Sequence, residues 1–332
     1  MKKRLIPFLA LAALLTGCSD HKSTDISGVA LSTEEIARSG IAPARIVRLD
    51  MAAAAVAGGN ELPDSLGAPF ARWMEMSEAA DASPAEFASS RRIAAFLPDV
   101  AKVFTTEAAD SLAMRLGRVF DVTGSPRKVY TIVSPYRQSI VLDGDSAVYV
   151  ALNHYLGADH PAYEGFPDYQ RRLKVPASIA PDVAEALLAA QCAEAEISDP
   201  AAPTTLERML QEGAIVEGMM RAAGISEQQA LGFTDAQMQW AVENQQRVWE
   251  TMMTSKLLFS TDPDVADRLL NPAPSAPLIN QGASGRIGRF IGHRIATAYL
   301  AGHPDADLTT LLWPKPLQAA QAILSESGYQ GK

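Results

Sequence analysis

The side chains best equipped for chemistry are few and scattered. Of the five histidines, His154, His160 and His293 stand in contexts that raise the question of a metal. A catalytic zinc takes three protein ligands and keeps a fourth position open, and two imidazoles four apart on one helix face are its usual core. No His-Glu-x-x-His occurs in the chain. His154 and His160 are separated by Tyr155-Leu156-Gly157-Ala158-Asp159, which is not helical ligand spacing, and Gly157 suggests a turn. Each histidine therefore reads first as a packing or surface residue. No Gly-x-Gly-x-x-Gly follows a strand pattern, no phosphate loop ends in Gly-Lys-Ser, and no Gly-x-Ser-x-Gly elbow is present. Dinucleotide binding, nucleotide hydrolysis and serine hydrolysis thus lack their signatures. Gly282, Gly285, Gly288 and Gly292 come closest to a glycine-rich site, flanking Arg286 and Arg289. Small residues at three- and four-residue spacing let two helices approach closely, a reading favoured here over an anion cradle.

The N-terminus carries a different chemistry. Lys2, Lys3 and Arg4 precede an apolar run from Leu5 to Leu15, and Thr16-Gly17-Cys18 follows. A positive start, a short apolar stretch and small residues before a cut are marks of a secretory signal. The apolar run is shorter than the roughly 20 residues that a helix needs to cross a bilayer. Leu15-Thr16-Gly17-Cys18 resembles the bacterial lipobox, which directs acylation of the cysteine thiol. The reading is a signal over residues 1–17, lipid on Cys18, and a polar tether over 18–28. Two or more acyl chains hold durably, since each buried methylene contributes roughly 0.8 kcal/mol. The only other cysteine, Cys192, follows Leu187-Leu188-Ala189-Ala190-Gln191 and reads as a small core residue.

Charge narrows the partners. The chain has 29 lysines and arginines against 38 acids. Loss of residues 1–17 removes three positive charges, leaving 26 against 38, a net of −12. A nucleic-acid partner would want a basic face, and so would electrostatic docking on anionic lipid. The expected partners are a membrane, through the lipid alone, and an envelope protein; nucleic acid is excluded.

These residues must be positioned by a mostly helical body over 29–332. Ser32-Thr33-Glu34-Glu35 has the form of a capping box, as does Thr234 with Gln237. Helical patterns run at about 64–80, 85–97, 105–121, 181–193, 203–223, 235–259, 285–301 and 315–326, the third closed by Gly124. Val129–Val133, Ser139–Leu142 and Ala147–Leu152 are β-branched and aromatic, and read as three strands of a small antiparallel sheet. The prolines at 272, 274 and 277 require an extended connector. The expectation is one α+β domain without internal repeats.

Leu152-Asn153-His154-Tyr155-Leu156-Gly157-Ala158-Asp159-His160-Pro161-Ala162-Tyr163, then Pro167-Asp168-Tyr169-Gln170-Arg171, resembles the gliding-motility lipoprotein GldB family of Bacteroidetes. Arg48-Leu49-Asp50, Met209 to Ala214, the Trp249 helix ending in Leu257-Leu258-Phe259, and Pro272-Ala273-Pro274 before Gly285 to Gly292 fit it as well. The resemblance spans roughly residues 45 to 330. It implies a degenerate relative of zinc peptidases with a zincin-like architecture. In such proteins a His-Glu-x-x-His helix precedes a helix bearing Glu-Gly-x-Ala. Glu212-Gly213-Ala214 resembles that second element, with Glu212 in the place of a third zinc ligand. Glu185 stands where a general base would, but Ala184 and Leu188 replace both imidazoles. The resemblance therefore implies no catalytic residue, no bound metal and no cofactor. It leaves a relict cleft whose candidate members are Glu185, Glu212, His154, Tyr155 and His293. Glu185 and Glu212 have a plainer reading, as partners of arginines such as Arg171, Arg208 or Arg289.

Two functions follow from these readings. One is a non-catalytic, lipid-anchored envelope protein serving gliding motility or associated secretion, on the outer membrane, with its body in the periplasm or at the cell surface. The other is a hydrolase with unusual zinc ligands, or one acting on cell-wall peptides. The zinc version requires two of His154, His160 and His293 within about 5 Å of Glu212, because a lone carboxylate cannot hold the ion. A third, a small-ligand carrier, calls for a closed apolar pocket near the sheet.

Overall fold

The computed structural model describes residues 31–136, 138–196, 202–306, 308–312 and 317–332. The signal over 1–17, Cys18 and the tether over 18–28 lie outside the described residues. The N-terminal half comprises α1 (Thr33–Arg38), β1 (Ile46–Arg48), α2 (Leu49–Ala57), α3 (Gly67–Met76), α4 (Pro84–Ser89), α5 (Arg91–Ala94), α6 (Leu97–Val103) and α7 (Thr106–Thr123). Then come β2 (Lys128–Ile132), β3 (Ile140–Asp143) and β4 (Ala147–Ala151). The C-terminal half runs through α8 (Asp168–Arg171), α9 (Ile179–Glu196), α10 (Thr205–Ala223), α11 (Glu227–Leu231) and α12 (Asp235–Thr254). It ends with α13 (Pro263–Leu270), α14 (Ile287–Gly302), α15 (Leu308–Leu312) and α16 (Leu317–Ser327).

Local chemistry sets most of these boundaries. Ser32 with Glu35 and Thr234 with Gln237 form reciprocal capping boxes, as expected, and Thr204 with Glu207 opens α10 in the same way. Each box satisfies two backbone N–H groups that a helix start leaves without partners. Gly124 closes α7 in the left-handed conformation. The single helix expected over 85–97 is instead α4, α5 and the start of α6. Ser90 adopts an extended backbone between the first two, and Pro98 sits in the first turn of the third. α12 stops at Thr254, because Lys256 takes a left-handed conformation before a 3-10 turn over Leu257–Phe259.

The sheet differs from the antiparallel one expected. It has four strands in the order β1-β2-β4-β3, with β1 parallel to β2, β2 parallel to β4, and only the β3–β4 pair antiparallel. The Asp143-Gly144-Asp145 turn does form a hairpin, but β3 lies at the edge and β4 returns between it and β2. All five residues of β4 are buried. A continuous apolar strand of this kind suits a central, parallel position better than a half-exposed one. β1 has only three residues, too few to stand out in the sequence.

The N-terminal helices pack on the sheet through a ring cluster of Phe70, Trp73 and Phe87, with centroids 5.0 to 5.9 Å apart and edge-to-face geometry. Trp73 donates its indole N–H to the Val133 carbonyl at 3.0 Å. Asp50, 3 % exposed, receives a bidentate contact from Arg48 and a hydrogen bond from the Thr131 hydroxyl. Arg48 also donates to the Phe104 carbonyl. That node fastens the β1–α2 junction to β2 and to the end of α6.

In the C-terminal half, α10 lies at the centre, packed by α7, α9, α13, α14, α15 and α16. Its crossing with α14 is a backbone contact. A Cβ on Gly292 would run into the Met209 carbonyl oxygen, and one on Gly213 would run into the Gly292 carbonyl. A Cβ on Gly288 would stand 3.0 Å from Leu269 Cβ and from a Leu270 methyl. The glycine spacing thus serves close helix approach, as the sequence suggests. Gly292→Ala should lower stability by about 3 kcal/mol, because the clash is with backbone that cannot rotate away. Gly302→Ala, with open space around it at the end of the same helix, should change stability by no more than about 0.5 kcal/mol. Urea unfolding of the two variants checks the difference; equal effects would contradict the packing.

Candidate functional site

The α10–α14 crossing sets one guanidinium between two carboxylates. Arg289, one turn before Gly292, is 2 % exposed. Its Nη1 stands 2.9 Å from Glu185 Oε1 on α9, and its Nε stands 2.9 Å from Glu212 Oε2 on α10. The Nε contact is an ion pair without an aligned hydrogen bond. Burial pushes the Glu185 carboxyl up, but Arg289 and then Arg286 more than offset it, and the group is held below its ordinary value. For Arg289, burial works against the charge and the two glutamates restore it, so its pKa is raised. Of the arginines named from the sequence, Arg289 is the partner. Arg171 pairs with Asp168, and Arg208 with Asp267 at 2.9 Å.

One helical turn before Glu185, Asp182 accepts a 2.7 Å hydrogen bond from the Tyr155 hydroxyl. Burial, above the effect of any neighbour, raises the Asp182 carboxyl to about 7; the Tyr155 hydrogen bond opposes this and Glu185 adds to it. Tyr155 is itself buried and resists ionisation, first through burial and then through the Asp182 charge. Arg286 caps α14 in a left-handed backbone conformation that a non-glycine residue rarely takes. It donates to the Leu231 carbonyl at 3.2 Å. Burial and the nearby Arg289 lower its pKa. Asp182, Glu185 and Arg286 face a cavity of about 250 Å³ that also reaches Arg172, Gln229 and Phe233.

The histidines are held elsewhere. His154 Nδ1 is 2.9 Å from the Ser139 hydroxyl. His160 Nε2 is 3.2 Å from Asp99, and its Nδ1 accepts from the Ala162 N–H. Both nitrogens of His293 are engaged, Nδ1 at 2.6 Å from Glu227 and Nε2 at 2.9 Å from Glu217. The structure therefore joins Tyr155, Glu185 and Glu212 around one ionic centre through Asp182 and Arg289, and leaves His154 and His293 outside it. Among the described residues no group of three His, Cys, Asp or Glu is placed to hold a metal ion. The donor set that a zinc peptidase needs is not brought together among the described residues.

The loop after β4 is built to hold Tyr155 in place. The Asn153 side chain accepts from the Ser134 N–H at 2.9 Å and donates to the Ser134 carbonyl at 2.8 Å, extending the β2 backbone as a strand would. The Tyr163 hydroxyl donates to the Asn153 carbonyl at 2.6 Å and accepts from the Leu156 N–H. The family model described as Gliding motility protein GldB matches residues 59–331. The chain belongs to this family. No curated protein and no solved structure matches it. Within this GldB-family chain, the 152–163 block is a clamp that fixes Tyr155 against Asp182. The Gly285–Gly292 block supplies Arg286 on the cavity wall, Arg289 in the ionic centre and one side of the glycine crossing. Of the residues in the site, Asp182, Arg172 and Gln229 were not apparent from the sequence. Asp182 could have been found as the acid one turn from Glu185 on the same helix face.

Two histidines titrate in opposite senses. Burial, and then Lys174, depresses His154 to about 4. The unfolded chain takes up its proton near pH 6.5, so stability should fall by about 3 kcal/mol as pH drops from about 6.5 to 4. His154→Asn should flatten that slope in urea unfolding measured across this range. For His293, burial opposes the charge but the hydrogen bonds it donates to Glu217 and Glu227 prevail, and its pKa is raised. Its contribution should be complete below pH 6.5 and disappear as pH climbs through the raised folded value. The stability gap between wild type and His293→Gln should narrow on going alkaline; a gap that widened would contradict the assignment.

Proposed function

We propose that the chain is a membrane-anchored, non-catalytic envelope lipoprotein of the GldB type. It has a structural or binding role in gliding-motility or secretion-related envelope machinery. The supporting observation is the seat of Arg289. A permanent cation lies between Glu185 and Glu212, the two acids that a peptidase relative would use as base and ligand. A guanidinium offers five donors and no open coordination position. It cannot polarise a carbonyl as a Lewis acid or generate hydroxide. The reading of Cys18 as a lipid carrier fits a chain in which, among the described residues, no helix is long and apolar enough to cross a membrane. The net negative charge leaves anchoring to the lipid. The outer membrane is the proposed site, with the body in the periplasm or at the surface.

A second reading, a hydrolase acting on cell-wall peptides, draws on Asp182. A carboxyl raised to about 7 on a cavity wall is matched to general acid–base work near neutral pH. Metal analysis and peptide digestion separate the two. The purified full chain should carry no stoichiometric zinc and leave cell-wall peptides intact. Zinc bound one-to-one, or cleavage lost in Asp182→Asn, would establish the hydrolase instead. In labelling with radioactive palmitate, wild type should take up label and sediment with membranes, whereas Cys18→Ala should do neither. An unlabelled wild type would remove the anchor from the proposal.

A further inference from the structure

The cavity beside the ionic centre has walls of both charges. Asp182 and Glu185 line one part and Arg172 and Arg286 another, around a space of about 250 Å³. The remaining wall is mainly apolar, with Met219, Ile225, Ala230 and Phe233. The protein's own contacts leave these charges incompletely answered. Arg289, not Arg286, makes the ion-pair contact with Glu185. Arg172 donates to the Gly232 carbonyl and the Gln237 amide oxygen, and Arg286 to the Leu231 carbonyl. All three acceptors are neutral. Asp182 receives a neutral phenol. Buried charges are ordinarily paired, and a cavity that gathers an acid and two arginines without direct pairing is shaped for a molecule that supplies both counter-charges.

We propose that this cavity binds a small zwitterion, a free amino acid or dipeptide with an apolar side chain. Its ammonium lies by Asp182, its carboxylate by Arg286 and Arg172, and its side chain against Ile225 and Phe233. Guanidinium groups suit a carboxylate because the planar fork can donate to both oxygens. The space is smaller than the roughly 300–1,000 Å³ of drug-sized sites, in keeping with a ligand of this class. The inference deepens the binding role proposed above and rests on it.

Calorimetric titration of the full chain in detergent provides the test, with L-leucine and the dipeptide Ala-Leu as probes and N-acetyl-leucine and leucinamide as blocked controls. At least one zwitterion should bind saturably. Each control should bind at least about tenfold more weakly, the scale of one lost charge-assisted hydrogen bond. Asp182→Asn keeps the Tyr155 hydrogen bond and should weaken the zwitterion by a similar factor. Ala177 is exposed on the cavity wall, away from the core, and Ala177→Trp should abolish binding while circular dichroism stays unchanged. N-acetyl-leucine binding as tightly as L-leucine would overturn the proposal in favour of a plain anion site. Absence of saturable heat up to about 10 mM on a folded chain would also overturn it, since affinity that weak leaves less than about 3 kcal/mol of binding. Release of free alanine from Ala-Leu, followed by mass spectrometry, would overturn the non-catalytic reading while leaving the zwitterion site in place.

Discussion

Backbone contact between α10 and α14 is the constraint on which the C-terminal half depends. Gly213 and Gly292 have no Cβ to hold the helices apart, so the two axes cross at the closest separation side chains permit. One consequence follows from sequence adjacency alone. Glu212 is next to Gly213, and Arg289 is one turn before Gly292, so the crossing that joins the glycines also brings the guanidinium to the carboxylate. Glu185 on α9 completes the centre because α9 packs along α10. A wider crossing would leave Arg289 buried without its partners, the costly arrangement for a charge in a low-dielectric interior.

By the same physics, a centre of this kind is weak evidence for net stability. Desolvating one arginine and two glutamates offsets most of their attraction, and similar centres can be replaced by apolar residues without loss. In the observed register of α9, α10 and α14, both acids lie within reach of one guanidinium. Electrostatically, three acids (Asp182, Glu185, Glu212) face two arginines (Arg286, Arg289) in one region. Asp182 forms no ion pair with these arginines, and burial first, with Glu185 adding to it, raises its proton affinity.

The legible parts of the sequence were those governed by local rules. Capping boxes at Ser32 and Thr234, the Gly124 stop and the glycine spacing of α14 each state their geometry within a few residues. Strand order did not follow, because Val129, Ile140 and Val148 announce extended structure but carry no mark of which strand they border. The break at Ser90 was hidden for a similar reason: serine can cap or continue a helix, and tertiary packing chose. In the site, Glu185 and Glu212 were reachable through the family resemblance, and Arg289 was one of three arginines offered as their partner. Asp182 lies one turn from Glu185 and Arg286 flanks the glycines, but neither position marks its residue as part of a cavity wall. Their significance comes from facing the same cavity across a hundred residues, which no spacing rule encodes.

An arginine seated between two carboxylates also differs from a metal centre in what it can do. A divalent ion in such a place exchanges ligands and takes a substrate oxygen into its open position. A guanidinium tied to two carboxylates offers a fixed charge in a fixed plane and exchanges nothing. Its rigidity is passed to α9 through Glu185, so the helix that carries Asp182 is anchored on one side by Arg289 and on the other by Tyr155. Tyr155 in turn is held by the Asn153–Ser134 clamp on β2. The cavity wall is thereby connected to the sheet and to the central helix at once. A site built this way is preformed, so little ordering cost is left for binding.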